Sequence, residues 1–230
     1  MNGVFYFHCF LFFVFLCVMA SYWVKSPAWM KCFFPSDMKW DIPVDQNDAT
    51  VYITFDDGPH PVITPFVLQQ LSMHNAKATF FCVGNNVARF PDTYKQMIAE
   101  GHKPANHTYN HLNGWKTTNN HYLKNIQQAA RHIDSLLFRP PYGRIKVSQY
   151  RKLKKLNARW KVYMWDILSG DFDNTISPQQ CADNVLAHIQ PGSIILFHDS
   201  EKAKDRMQYA LPLVLQHCTD NGWAMRVLPD

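Results

Sequence analysis

The sequence predicts an α/β domain built on a mainly parallel sheet, and three observations predict it. From Thr50 to the C-terminus, short apolar runs alternate with helical patterns, the signature of repeated βα units. Three of those runs end in polar clusters, Asp56-Asp57, Asp171–Asp173 and His198-Asp199. In α/β folds functional residues gather there, in loops at the C-terminal ends of strands. The third observation is size: 230 residues, 47% hydrophobic and 18% charged, hold one domain with a sizeable core and exclude intrinsic disorder, collagen and a multi-span membrane protein. Periodicity alone leaves open whether the sheet closes into a barrel.

The chain opens with an apolar stretch. Between Val4 and Val24 only His8 and Ser21 fall outside the hydrophobic set, and no Asp, Glu, Lys or Arg precedes Lys25. At about 1.5 Å per residue such a helix spans a hydrocarbon core of roughly 30 Å. The stretch 1–24 is expected to be a membrane anchor, with the membrane as a partner through residues 4–24 and the domain facing the cell envelope. A signal peptide competes, through the small-residue site Val18-Met19-Ala20. If translation starts near Met19, or if Lys25, Lys31 and Lys39 orient the anchor by the positive-inside rule, the domain is cytoplasmic. Residues 25–49, with Pro27, Pro35 and Pro43, read as a connector, and 50–230 as one globular domain.

Thr50–Phe55 is β-branched and aromatic and runs into Asp-Asp-Gly-Pro, which makes it a strand and a turn. Thr64–His74 follows as a helix with a Thr-Pro start, then Ala78–Val83 as a second buried strand. Pro91–Glu100 is helical and ends at Gly101; His121–Leu137 and Val147–Asn157 are further helices. Lys161–Ile167 reads as a strand, Pro178–Ile189 as a helix opened by Ser177, and Ser193–Phe197 as a short strand after a Pro-Gly turn. Asp205–Asp220 is the last helix and Trp223–Leu228 the last strand.

The formal charge of +5 is mildly basic. Its densest cluster, Arg151, Lys152, Lys154 and Lys155, lies within a helix and reads as a solvated face, so neither a nucleic-acid partner nor an obligate protein partner is expected. The six cysteines form no CxxC pair, and Cys82, in a buried strand, reads as a small apolar side chain.

Some residues could carry chemistry. Asp56 and Asp57 read either as a capping turn or as two carboxylates pointing different ways, one for a metal and one for a proton. His107 and His111 stand four apart, which on one face of a helical turn suits a tetrahedral metal. With an Asp from another strand end they make three protein ligands and leave one position open, the arrangement of a catalytic zinc. Arg139-Pro140-Pro141-Tyr142-Gly143 is a stiff segment whose prolines fix φ and hold the neighbouring Tyr142 N–H. His198 reads equally as a hydrogen-bonded loop histidine. Trp115 and Trp165 suit either packing or the face of a sugar.

Taken together, Thr54-Phe55-Asp56-Asp57-Gly58-Pro59, His107-Thr108-Tyr109-Asn110-His111, Arg139-Pro140-Pro141-Tyr142-Gly143, Asp171-Phe172 and Leu196-Phe197-His198 resemble the five ordered motifs of the polysaccharide deacetylase (NodB-homology) family, carbohydrate esterase family 4, across roughly residues 50–228. The resemblance implies a deformed (β/α) barrel of about seven parallel strands, here preceded by the N-terminal apolar helix. It implies one divalent metal, zinc above all with cobalt or nickel as alternatives, on Asp57, His107 and His111. It makes Asp56 the general base, His198 the general acid, Arg139 the group orienting Asp56 and Asp171 the group tuning His198. The Tyr142 N–H faces the oxyanion, and Leu196, Pro141 and Phe172 line the pocket for the acetyl methyl. Two departures stand out. The fourth motif usually carries Asp-Trp, where this chain has Asp171-Phe172, and Gly101-His102-Lys103-Pro104-Ala105-Asn106 replaces a stretch that is often Gly-His-x-Ile-Gly-Asn. The function implied is hydrolytic removal of acetyl groups from an N-acetylglucosamine-containing glycan, peptidoglycan or chitin-like. The alternatives are hydrolysis of a small-molecule amide or imide or of acetylated xylan, and a non-catalytic glycan-binding module.

Overall fold

Strand β1 (Thr50–Asp56) is buried at all seven positions because it has a neighbour on each side. In the computed structural model, which describes residues 22–43 and 49–230, β1 pairs in parallel with β2 (Thr79–Cys82) and with β7 (Ile194–His198). Beyond β2 lie β3 (Lys103–Asn106), β4 (Leu137–Phe138) and β5 (Lys161–Val162), and beyond β7 lies β6 (Ile167–Leu168), in the order β5-β4-β3-β2-β1-β7-β6. A short β8 (Ala224–Met225) pairs with the start of β1. The seven parallel strands form a curled half-barrel of α/β type, as expected. The expected N-terminal apolar helix is not part of what is described.

The period-2 alternation of β1 sorts the molecule into two faces. Val51, Ile53 and Phe55 join the large core beneath the helices Ile63–Met73, Pro178–Leu186 and Lys204–Asp220. Tyr52 joins a second cluster with Phe81, Leu137, Tyr163 and Ile194. Thr54 and Asp56 share the parity of Tyr52 and are the buried polar residues at the upper end of the strand.

β5 and β6 follow one another in the chain yet sit at opposite edges of the sheet. The expected strand Lys161–Ile167 is therefore two strands, and Tyr163–Asp166 crosses the opening between the edges. Residues from the N-terminal segment cover that crossing. Lys39 bridges to Tyr163, Asp41 to Ser193 and Lys25 to Ile167, and a short helix, Ala28–Lys31, lies between them in sequence.

Other boundaries differ for physical reasons. The expected helix His121–Leu137 runs Asn119–Ala129, and Leu137 instead joins β4, fully enclosed by its neighbours. β3 forms despite Pro104. Lys103 and His107 donate their N–H groups to Ala78 and Cys82 of the β2 side, and β4 pairs with β3 only from Asn106 onward, so the missing Pro104 donor leaves no ladder position empty.

The membrane anchor requires correction. Among the described residues no helix is long and apolar enough to cross a membrane. At the end of the expected span, the Val24 carbonyl accepts from the Leu168 N–H at 2.7 Å and the Tyr22 hydroxyl donates to Asp173 at 2.9 Å. These residues are tied to the domain rather than continuing an apolar helix. The rest of the expected segment, residues 1–21, lies outside the described residues. The membrane as a partner and a membrane-anchored localisation are accordingly withdrawn.

Candidate active site

The register of the sheet brings the motif residues to one rim. Asp56 and His198 are partners at the ends of β1 and β7. Asn106 at the end of β3 pairs with Phe138 at the end of β4, so His107 and Arg139 leave adjacent strands side by side. Parallel strands place all these side chains at one end of the half-barrel.

Arg139 is fully buried, and each of its three guanidinium nitrogens donates a hydrogen bond. Nη1 donates to Thr54 Oγ1 and to Asp56 Oδ1, both at 2.8 Å. Nη2 donates to the Met164 carbonyl at 2.7 Å and Nε to that of Tyr163 at 3.3 Å. The Phe81 ring lies 3.9 Å from Cζ. Burial pushes the guanidinium pKa down, against the Asp56 charge beside it, and the cation is held as a buried charge must be, paired and hydrogen-bonded. The crossing residues Tyr163 and Met164 thus reach the site through their carbonyls.

Asp57 turns sharply out of β1 at φ 83°, and its carbonyl accepts from Asn86 Nδ2 at 2.8 Å. Its Oδ1 lies 3.1 Å from His111 Nε2 and 3.8 Å from His107 Nε2, close to the edge of about 3.3 Å that a tetrahedral zinc shell requires. The ligating atoms of the three residues all lie within 4.8 Å of one another. Asp57 Oδ1 is enclosed and has no hydrogen-bonding partner, although each histidine is near. Acceptor lone pairs that converge without a donor between them suit a cation. His107 is oriented for it, since its Nδ1 bonds the Arg139 carbonyl at 2.8 Å and leaves Nε2 as the ligand atom. Burial, outweighing the Asp56 charge, pushes His107 down to about 4, so the ring is neutral at pH 7, the form that binds metal. Burial alone would raise Asp57, but His111, His198 and His107 hold its carboxyl below the usual range. Asp57, His107 and His111 fit a divalent ion.

The two histidines are not on a helical turn. His107–His111 is an irregular loop with Thr108 at φ 64° and His111 at φ 54°. Two asparagines hold it there. Asn106 Oδ1 accepts from Thr108 N–H at 2.9 Å, while its Nδ2 donates to the Ile126 carbonyl. Asn125 Oδ1 accepts from the N–H groups of both Tyr109 and Asn110 at 2.9 Å. Asn125 was not anticipated; its one signal is a polar residue beside the apolar positions Tyr122, Leu123 and Ile126 of its helix.

Across the rim, Asp171 grips His198 twice. Oδ1 lies 2.7 Å from Nδ1, and Oδ2 accepts the His198 backbone N–H at 2.6 Å. Burial disfavours the charged ring, but the Asp171 charge and hydrogen bond, aided by Asp57 and Asp56, push it up to about 10. Asp199, next in sequence, was also unassigned. It is buried and accepts from Gly58 N–H at 2.9 Å and from the Thr64 hydroxyl. A Cβ on Gly58 would lie 2.0 Å from its carboxylate, which explains glycine in this turn. Burial pushes Asp199 up to about 7.

Phe172 meets His198 edge-on at 5.5 Å, and Leu196 lies two residues before His198 on the same face of β7. Pro141 is buried in the turn that carries Tyr142. Tyr142 adopts φ 60°, ψ 10°, and its hydroxyl reaches His111 Nδ1 at 3.1 Å. Trp165 is partly buried near Arg139, and Trp115 is exposed. Beside Asp57 and His111 opens a cleft of about 320 Å³ lined also by Val83, Asn85, Asn86 and Asn110.

The chain as a whole resembles known proteins in sequence and in fold. A family model described as polysaccharide deacetylase matches residues 44–160. A peptidoglycan-N-acetylglucosamine deacetylase of Bacillus cereus is 31% identical over 189 residues, 80% of this chain and 87% of that protein. A chitooligosaccharide deacetylase of Azorhizobium caulinodans is 33% identical over 166 residues, 68% and 76% of the two chains. The solved structure of a peptidoglycan N-acetylglucosamine deacetylase in complex with 4-naphthalen-1-yl-N-oxidanyl-benzamide superposes with a TM-score of 0.78 at 30% identity, over 89% of this chain and 95% of that one. The chain therefore belongs to the polysaccharide deacetylase family.

Proposed function

We propose that the chain, through a catalytic domain spanning residues 50–230, hydrolyses the N-acetyl group of N-acetylglucosamine units in peptidoglycan or a chitooligosaccharide, with one divalent ion on Asp57, His107 and His111, zinc first among candidates. The observation that carries the reading is the pairing on one rim of a carboxylate held by a buried arginine with a histidine held charged by another carboxylate. The names of the relatives supply the substrate class. When bound, the ion supplies Lewis acidity, lowering the pKa of a water toward neutrality and polarising the acyl oxygen.

The protein residues divide the remaining work. Asp56, fixed by Arg139 through Oδ1, keeps Oδ2 to take the proton of the attacking water. The Tyr142 N–H faces the developing oxyanion, a contact typically worth roughly 3–4 kcal/mol. An amine leaves badly unless protonated, and His198, carrying its proton at neutral pH, donates it. Leu196, Pro141 and Phe172 form the wall for the acetyl methyl.

The test is acetate release from N-acetylglucosamine oligomers and from peptidoglycan by zinc-, cobalt- and nickel-loaded protein. Release is expected from at least one substrate, with Asp56→Asn lower by about a hundredfold or more. No acetate from any combination overturns the reading, and equal release by Asp56→Asn removes the base.

A further inference from the structure

The loop Ser169–Asp173 carries Asp171. Asn184 Nδ2 holds its start by donating to the Ser169 carbonyl at 2.9 Å, and contacts from two more distant parts of the chain hold the rest. On one side Arg206 donates Nε to the Asp171 carbonyl at 2.7 Å and Nη2 to Asn174 Oδ1 at 2.6 Å. On the other side stands Tyr22. Its hydroxyl donates to Asp173 Oδ2 at 2.9 Å, the oxygen left over once Oδ1 has accepted from the Thr175 N–H and hydroxyl. Its ring lies 5.2 Å from that of Phe172, and Phe172 meets His198 at 5.5 Å. Three rings therefore run from the N-terminal segment to His198. The fit is close, since a Cβ on Gly170, which adopts φ 78°, would come within 2.8 Å of the Tyr22 oxygen. Burial and the Asp173 carboxylate push the Tyr22 hydroxyl pKa up, which keeps it a donor. Tyr22 lies well before the matched residues 44–160.

We propose that Tyr22 is a positioning residue for the reaction. By packing on Phe172 and bonding Asp173, it holds the loop that sets Asp171 against His198, and it occupies the side of Phe172 that a larger indole at position 172 would fill. A charge-assisted hydrogen bond and an aromatic contact together restrain a loop whose own strand, β6, has only two residues, too few to fix it alone. The kinetic part of this inference rests on the deacetylase reading; the placement of the loop does not.

The experiment compares wild type with Tyr22→Ala, Tyr22→Phe, Phe172→Trp and the double variant Tyr22→Ala/Phe172→Trp, all in the full chain. The zinc-loaded proteins are assayed for kcat and KM on N-acetylglucosamine oligomers, and the amides of 169–173 for hydrogen exchange without substrate. Misplacement of the reacting groups is expected to lower kcat of Tyr22→Ala about tenfold with KM within about twofold. Tyr22→Phe, which keeps the ring, falls less. Exchange at 169–173 rises by about tenfold in Tyr22→Ala. The indole restores both quantities in the double variant, and Phe172→Trp alone is impaired because Tyr22 already fills the space. Unchanged kcat and exchange in Tyr22→Ala, or a double variant no better than Tyr22→Ala, overturns the inference. A wild type that releases no acetate fails the deacetylase reading only; the exchange comparison then decides the placement of the loop.

Discussion

Asp171 spends both oxygens on His198, one on the ring and one on the backbone N–H. The fold therefore prefers the imidazolium. With a folded pKa of about 10 above an ordinary value near 6.5, the pair contributes its full stabilisation below about pH 6.5 and loses it as pH rises through 10. Asp171→Asn leaves burial as the main influence, and burial acts downward. The alkaline limb of the kcat–pH profile is expected to move down by more than about one unit, with circular dichroism confirming the fold over the same range. An unmoved limb would show that another group sets it. At this scale the sequence was informative: Asp56, Asp57 and His198 sit just where a strand pattern ends, Arg139 opens a rigid Pro-Pro segment, and His107 is marked by its spacing from His111. Asn125 and Asp199 were not legible as functional, because one polar residue in a helical pattern, or one Asp after His, is indistinguishable from a solvated position until the burial is seen.

Among the elements, the loop His107–His111 shows how placement can differ from spacing. Four-residue separation suggested a helical turn, yet the rings meet at 5.1 Å across an irregular loop with two left-handed residues. The helix Asn119–Ala129 does the holding, through Asn125. Asn125→Ala leaves the N–H groups of Tyr109 and Asn110 without their acceptor, at a cost of about 1–3 kcal/mol each where water cannot reach. Denaturant unfolding is expected to show a loss within that range, and zinc titration a weakening of about tenfold or more as the outer support is lost; unchanged zinc affinity would free the loop from Asn125. Strands were legible where apolar runs were long, as in Thr50–Phe55 and Ser193–Phe197. β3 was hidden by Pro104, and β4 by having only two residues. Lys161–Ile167 concealed a break because Val162, Tyr163, Trp165 and Ile167 favour strands on both sides of it; only pairing partners reveal that its halves belong to opposite edges.

For the molecule as a whole, three residues from two strand ends and one loop converge on the proposed ion, so binding favours the folded state. Zinc at a hundred times its dissociation constant is expected to stabilise the fold by about 2.7 kcal/mol. Thermal unfolding with zinc and after chelation measures the difference, and His111→Ala should abolish most of it; equal transitions with and without metal would argue against the site. The central position of β1 has a further consequence, in time rather than in space. Thr54 bonds Ile195 of β7, 141 positions later in the chain. At roughly 5–20 residues per second a ribosome needs about 7–28 s to supply that partner. Meanwhile one edge of a strand whose first six residues, Thr50–Phe55, are uncharged and rich in β-branched side chains stands bare, the kind of segment that aggregates. A fragment ending at Gln190, before β7, is expected to sediment on expression while the full chain stays in the supernatant. The carboxylates at the end of β1, Asp56 and Asp57, are then the charges nearest the exposed edge. Charges that flank an apolar strand act against its aggregation before the partner strand arrives.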